Sequence, residues 1–176
     1  SFRSRNANVF HCLAPGALIW RAQSLMNSEE SQIGYVSIED VKKNDEVVTH
    51  LGRWKKVIGV ITHENYGRIF TLTLENGEII KITGEHKLLL ENRDWKNPTE
   101  LTIDDRLSIS VVTDSGTNGF RIGKNAGSTK ILGISEDFYA GPVYNLEVEE
   151  DQSYSGKGIV YHNSDVQTGW IIPAYI

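Results

Sequence analysis

The chain has 176 residues, of which 39% are hydrophobic and 23% charged, and its formal net charge is −5. This composition is typical of one soluble globular domain with its own core. The acidic balance disfavours nucleic-acid binding, because phosphate recognition requires a basic surface. No stretch approaches the roughly 20 apolar residues that span a bilayer, and a single cysteine excludes an internal disulfide or a cysteine-rich zinc site.

Strand patterns dominate the chain. β-Branched and aromatic residues alternate or cluster between turn signals in residues 46–64, 68–91, 105–113 and 141–150. The Asn-Gly pair within residues 75–78 separates two alternating runs, which is a strong hairpin signal. Only two segments, 37–45 and 97–105, have helical patterns, and Pro98 suits a first helical position. The sequence therefore predicts an all-β domain with short helical turns.

Residues 113–130 are rich in Gly, Ser, Thr and Asn and poor in large aliphatic residues. This composition is typical of an exposed surface loop. We therefore expect a loop between the last two strand segments.

Two pairs of segments resemble each other, in the same order along the chain. Residues 37–48 match residues 97–108, and residues 67–76 match residues 141–150. Any two alternating strands look somewhat alike. A double match in order nevertheless favours two similar β subunits within one domain.

Cys12 lies in the segment HCLAPGALIW, which leads into a predicted buried strand. A free cysteine is most often a small buried hydrophobic residue. Its sulfur can also attack the preceding carbonyl, that of His11, and convert this amide into a thioester if a proton reaches the leaving nitrogen. Taken alone, Cys12 favours the packing interpretation.

Thr83 and His86 form a TxxH motif in the segment ITGEHKLLL. Histidine is the side chain that titrates near neutrality, so His86 could act as a general acid towards a backbone nitrogen. Thr83 is near enough in sequence to hydrogen-bond the same peptide. The alternative is a surface histidine after a strand, and the short motif is a weak signal by itself.

His162, Asn163 and Ser164 follow the β-like run GIVY. Asn and Ser usually form a polar turn after a strand. An asparagine carboxamide can also attack its own backbone carbonyl, which forms a succinimide and cuts the Asn163–Ser164 bond. In that hypothesis His162 assists by proton transfer, and Ser164 is the nucleophile that accepts an acyl group just beforehand.

The order of these motifs resembles that of inteins, the self-splicing members of the Hint superfamily. CLAPGALI resembles the N-terminal intein block, NGEIIKITGEH the second block with its TxxH, and GPVYNLEVEEDQSYSGKGIVYHNS the two C-terminal blocks. VSIEDVKKNDEVV and WKNPTELTIDD resemble the recurring segments of Hint domains. The match covers residues 12–163, and the combination of motifs is specific.

This resemblance implies an all-β, horseshoe-shaped Hint fold with pseudo-two-fold symmetry. Residues 12–163 would be a mini-intein without a homing endonuclease, flanked by extein segments 1–11 and 164–176 that serve as its intramolecular substrate. The implied activity is single-turnover self-splicing by Cys12, Thr83, His86, Asn145, His162, Asn163 and Ser164. We expect a cytoplasmic monomer with no cofactor, no metal, and no nucleic-acid or membrane partner.

Three positions depart from the family pattern. Ala17 replaces a usual threonine, Asn145 an aspartate that helps couple the two cleavage sites, and Gln152 a histidine that aids C-terminal cleavage. Asn145 donates and accepts hydrogen bonds but carries no charge. We therefore expect slow or conditional splicing.

Two alternatives stay open. A bacterial intein-like or Hedgehog-type Hint domain would cleave without ligating, although Hedgehog-type domains lack an asparagine–nucleophile junction such as 163–164. A non-catalytic β-rich binding module would use Cys12 in its core and residues 162–164 as a turn. A metal role is the weakest hypothesis, because His50 and His63 lack ligand spacing.

Overall fold

The computed structural model describes residues 11–23, 32–114 and 119–163, and β-strands form nearly all of their regular structure, which confirms the all-β prediction. The strands are β1 (Leu18–Ala22), β2 (Ile33–Ser37), β3 (Glu46–Val48), β4 (Trp54–Leu74), β5 (Ile79–Ile82), β6 (Leu88–Leu89), β7 (Trp95–Lys96), β8 (Arg106–Thr113), β9 (Phe120–Val148), β10 (Ser153–Ser155) and β11 (Val160–His162). Two single-turn 3-10 helices, Ile38–Asp40 and Pro98–Glu100, lie within the segments with helical patterns. No helix in the described segments is long and apolar enough to cross a membrane.

The described strands form two antiparallel sheets. The larger sheet has the order β2-β1-β3-β4-β9-β8, with β5 paired to β4, and the smaller sheet has the order β10-β11-β6-β7. The predicted hairpin joins β4 to β5, where the Leu74 N–H donates to the Glu78 carbonyl at 2.9 Å. Gly77 takes φ +92° in this turn, in the left-handed region that favours glycine.

The long ladder between β4 and β9 carries the pseudo-two-fold symmetry of the domain. Tyr66 pairs directly with Ala140, and these two residues are equivalent under the repeat that relates residues 67–76 to 141–150. An antiparallel ladder is locally symmetric about an axis perpendicular to its strands. Equivalent residues that meet at one rung place a local two-fold axis there, as the predicted repeat of two similar β subunits requires.

The other repeated segment folds twice into the same turn. The Asp45 carboxylate accepts a hydrogen bond from the Lys42 N–H at 2.8 Å, and the Asp105 carboxylate accepts one from the Thr102 N–H at 2.9 Å. Each aspartate thus caps a tight turn after a 3-10 helix, the local role that aspartate favours. Asp45 also pairs with Arg21 at 3.2 Å.

The prediction of a loop at residues 113–130 was wrong for most of this segment. β9 begins at Phe120 and pairs with β8 from Thr113↔Phe120 to Arg106↔Lys130, while residues 115–118 lie outside the described part of the chain. The composition of the segment indicated a loop because many side chains of this ribbon are exposed. An exposed ribbon needs few large aliphatic residues, so its composition resembles that of a loop.

Candidate active site

The N-terminal segment enters the core between two strands. Leu13 forms bridges with Ile82 at the end of β5 and with Tyr144 in β9, and its side chain is fully buried in the main core. The preceding residue, Cys12, is therefore placed between the segments that carry Thr83 and Asn145.

Thr83 holds the backbone of Cys12 from one side. The Cys12 N–H donates to Thr83 Oγ1 at 2.9 Å, and the Thr83 N–H donates to the Cys12 carbonyl at 3.0 Å. Thr83 Oγ1 also donates to that carbonyl at 3.3 Å. Both residues are almost completely buried, so the nitrogen of the His11–Cys12 peptide is fixed by a side chain that water does not reach.

Asn145 holds the other end of the same peptide bond. Its Nδ2 donates to the His11 carbonyl oxygen, while its Oδ1 accepts hydrogen bonds from the Leu146 N–H at 2.7 Å and from the Tyr154 hydroxyl at 2.5 Å. The His11 ring is also fixed, because its Nδ1 donates to the Glu85 carbonyl at 2.7 Å. A donor aimed at this carbonyl stabilises the negative charge that develops there when a nucleophile attacks.

His86 reaches both ends of the predicted domain. Its Nε2 donates to the His162 carbonyl at 2.8 Å, and the backbone of Cys12 lies near enough to oppose the lowering of its pKa. Since Nε2 carries the proton of the neutral ring, Nδ1 presents a lone pair. That nitrogen is buried and has no hydrogen-bond partner among the described residues.

Burial keeps both the thiol and the imidazole uncharged. It raises the pKa of Cys12 to about 12 and lowers the pKa of His86 to about 3, against smaller opposing effects of the His162 and Cys12 backbone. At neutral pH the site therefore holds a thiol and a neutral imidazole. An imidazole with so low a pKa does not retain a proton at neutral pH, so His86 can serve the reaction only as a relay that passes a proton on within the same step.

The C-terminal junction has its own set of contacts. The Asn163 N–H donates to the Gln152 carbonyl at 2.8 Å, and Asn163 Oδ1 accepts from the Val148 N–H at 2.7 Å. His162 Nδ1 donates to the Asn163 carbonyl at 2.9 Å. These contacts orient the carboxamide and polarise the carbonyl that it would attack.

A family model for the intein splicing domain matches residues 13–163. The chain belongs to the intein family. Its fold is that of solved inteins. The intein-like domain of Clostridium thermocellum has a TM-score of 0.66 at 20% identity over 86% of this chain and 98% of that chain. The gp41-1 intein has a TM-score of 0.63 at 19% identity over 86% and 98%.

Among curated proteins, a DNA polymerase of Thermococcus aggregans is 28% identical over 113 residues. The matched region is 64% of this intein chain and 6% of the polymerase. The chain thus spans a small part of that relative. The activity of the polymerase is therefore not transferred to this chain.

A ring cluster in the intein domain supports the C-terminal junction. The Trp95 ring lies edge-on to the His162 ring at 4.8 Å between centroids. The His50 ring also lies edge-on to Trp95, at 5.6 Å between centroids. His50 also contacts Ser153 Oγ through its backbone N–H at 2.8 Å and through Nδ1 at 2.7 Å. Since Ser153 pairs with His162 in the sheet, the cluster holds His162 from two directions.

The structure gathers most of the predicted site residues of the intein around the two junctions. Those that it places there are Cys12, Thr83, His86, Asn145, His162 and Asn163. Ser164 lies outside the described residues, as do residues 1–10 and 165–176 of the predicted extein segments. The described residues contain no group of three or more His, Cys, Asp or Glu side chains placed to hold a metal ion.

Sequence reasoning missed Tyr154, which is fully buried and bonds to Asn145. Its signal was hidden because an aromatic residue in the alternating segment SYS is typical of an ordinary strand. Of the positions that depart from the family pattern, Ala17 packs against the core. The side chain of Gln152 is exposed. In the contacts described above, Gln152 binds Asn163 through its backbone carbonyl.

Proposed function

We propose that residues 12–163 excise themselves and ligate segment 1–11 to segment 164–176, each molecule acting once. The observation that supports this most directly is the buried turn Thr83–His86. Thr83 hydrogen-bonds the backbone of Cys12, and His86 hydrogen-bonds the His162 carbonyl. A splicing domain must bring its two ends together. One buried turn that contacts both ends meets that requirement.

In the proposed first step, Cys12 Sγ attacks the His11 carbonyl carbon. We assign His86 the relay of the thiol proton to the Cys12 nitrogen within this one step, so a C–S bond forms as the C–N bond breaks. Thr83 holds this nitrogen and Asn145 stabilises the carbonyl oxygen. The product is a thioester with a free amine at Cys12.

In the second proposed step, Ser164 Oγ attacks the thioester carbonyl. The serine proton passes to the leaving sulfur of Cys12, and the N-terminal segment is transferred to Ser164 as an ester. This step is inferred from the residue at the junction and from the family, because Ser164 lies outside the described residues.

In the third proposed step, Asn163 Nδ2 attacks its own backbone carbonyl carbon, and the bond to Ser164 breaks with a proton moving to the Ser164 nitrogen. His162 Nδ1 stabilises the carbonyl oxygen. The released amine of Ser164 then attacks the neighbouring ester, which leaves an ordinary peptide bond between the flanks. In total two peptide bonds break, and one new peptide bond and the C–N bond of the succinimide form.

The intact mass of the freshly expressed chain, followed with time, tests this proposal. Splicing gives a joined peptide of segments 1–11 and 164–176 beside a body of residues 12–163 that ends in a succinimide. The rate in the same experiment tests the expectation of slow splicing. A mass that never changes over a range of pH and temperature would favour a binding module and refute the proposal.

Changing Ser164 to Ala separates ligation from cleavage. We expect this variant to form the thioester, detected as cleavage by added thiol, but to give no joined flanks. Joined flanks from this variant would show that Ser164 is not the acceptor. Separate flanks from the unmodified chain would instead identify a Hint domain that cleaves without ligating.

A further inference from the structure

Tyr154 lies one layer behind the N-terminal junction and touches no scissile atom in the contacts described above. It is fully buried, and its hydroxyl donates to Asn145 Oδ1 at 2.5 Å. Burial, together with the neighbouring Tyr161 and Cys12, raises its pKa well above the ordinary value. The hydroxyl therefore keeps its proton at neutral pH, and it can donate to Asn145 Oδ1.

The carboxamide of Asn145 can in principle present either end to the His11 carbonyl. With Nδ2 forward it donates to that carbonyl. With Oδ1 forward it would set oxygen against oxygen and turn its NH₂ group towards two other donors, the Leu146 N–H and the Tyr154 hydroxyl. The reversed orientation would leave several buried groups unsatisfied, which is costly.

We propose that Tyr154 is a positioning residue for the first step: together with the Leu146 N–H, it holds the Oδ1 of Asn145 so that Nδ2 faces the His11 carbonyl. This inference rests on the proposed function. It also explains how an uncharged amide serves where an aspartate is usual in the family, because the network converts Asn145 into an oriented donor.

Tyr154 also strengthens the donor that it positions. When Asn145 Oδ1 accepts two hydrogen bonds, electron density moves towards that oxygen and the Nδ2 protons become better donors. The effect is largest when negative charge develops on the His11 oxygen during attack. We expect loss of the Tyr154 hydroxyl to slow thioester formation about tenfold, the equivalent of one ordinary hydrogen bond.

Tyr154→Phe tests this, with Tyr161→Phe as the matched control. Tyr161 is equally buried and its ring lies 5.5 Å from that of Tyr154. Its hydroxyl has no partner among the described residues. Thioester formation is measured as thiol-induced cleavage in chains that also carry Asn163→Ala, and C-terminal cleavage is measured in chains that carry Cys12→Ala.

We expect Tyr154→Phe to slow the thiol-induced cleavage about tenfold and to leave the C-terminal cleavage unchanged, while Tyr161→Phe changes neither rate. In a chain that also carries Asn145→Ala, Tyr154→Phe should have no further effect, because its partner is gone. Equal slowing of both cleavages, or the same tenfold loss without Asn145, would show a merely structural role and overturn the inference.

A measurement on the chain with Tyr154 in place covers the case in which Tyr154→Phe does not fold. In an uncleaved chain carrying Cys12→Ala and Asn163→Ala, the Tyr154 hydroxyl proton should exchange slowly and give an NMR cross-peak to Asn145. A hydroxyl proton that exchanges too fast to observe overturns the inference. Absence of thioester in the unmodified chain, in contrast, would refute the proposed function.

Discussion

Acidification should destabilise the domain through His86. The imidazole is fully buried, and its pKa falls from 6.5 to about 3 because burial penalises the charged ring. At a pH between the two values, His86 therefore binds a proton in the unfolded chain but not in the folded chain. Between these two pKa values, stability falls as the pH falls, since protons favour the unfolded state.

The size of the effect follows from the separation of the two pKa values. Between the two pKa values, each unit by which the pH falls lowers the unfolding free energy by about 1.4 kcal/mol. When the pH is lowered from about 7.5 to about 5, roughly 1.5 pH units lie below the unfolded pKa. We therefore expect His86 alone to lower the unfolding free energy by about 2 kcal/mol. The loss would continue down to the folded pKa of about 3.

Urea unfolding of a chain that cannot react, carrying Cys12→Ala and Asn163→Ala, measures this dependence. His50 and His63 also have lowered pKa values because of burial, so they contribute a slope of the same sign. The matched control is the same chain with His86→Gln, which keeps those two histidines and loses only the buried imidazole.

The difference between the two chains isolates the contribution of His86. We expect the unfolding free energy of the parent chain to fall about 2 kcal/mol more than that of the control over this pH range. Parallel pH profiles would refute the reasoning, because they would mean that His86 binds a proton as readily in the folded chain as in the unfolded one.

Three further predictions concern the two junctions and the repeated turns. Thr83→Val should slow thiol-induced cleavage at the first junction about tenfold, because the scissile nitrogen loses its hydroxyl contact. Thr83→Ser, which keeps a hydroxyl, should restore the rate. Equal rates for the Val and Ser variants would contradict this. Trp95→Ala should slow C-terminal cleavage but not thiol-induced cleavage, because the ring that holds His162 is lost; mass spectrometry of both products decides this. Asp45→Ala should lower the unfolding free energy by about 1–2 kcal/mol more than Asp105→Ala. The reason is that the Asp45 side chain is 3% exposed and that of Asp105 is 16% exposed. Equal losses of unfolding free energy in urea would contradict this prediction.

Local patterns predicted most of the fold. The alternating segments became strands, and the Asn-Gly pair became the turn between β4 and β5. The repeated aspartates, Asp45 and Asp105, form equivalent turns. Each of these features depends on residues that are near one another in sequence. The ribbon after Phe120 was not predicted, because its pairing with β8 depends on contacts that the composition does not reveal.

The candidate site was predicted as a set of residues but not as a geometry. The resemblance to inteins indicated that Asn145 stands where an aspartate is usual. Which end of its carboxamide faces His11 depends on Tyr154 and on the Leu146 N–H. No sequence pattern specifies such an orientation, because it arises from three groups that converge only after the strands pair.

The ladder between β4 and β9 has a consequence for a chain cut between β8 and β9. One fragment would contain β4 with Cys12 and His86, and the other the whole of β9 with Asn145 and Asn163. The ladder joins β4 to β9 through seventeen paired positions, so reassembly of the halves would rely on the longest run of backbone hydrogen bonding in the fold. Neither half alone holds a complete set of reactive groups, and association itself would then start the reaction.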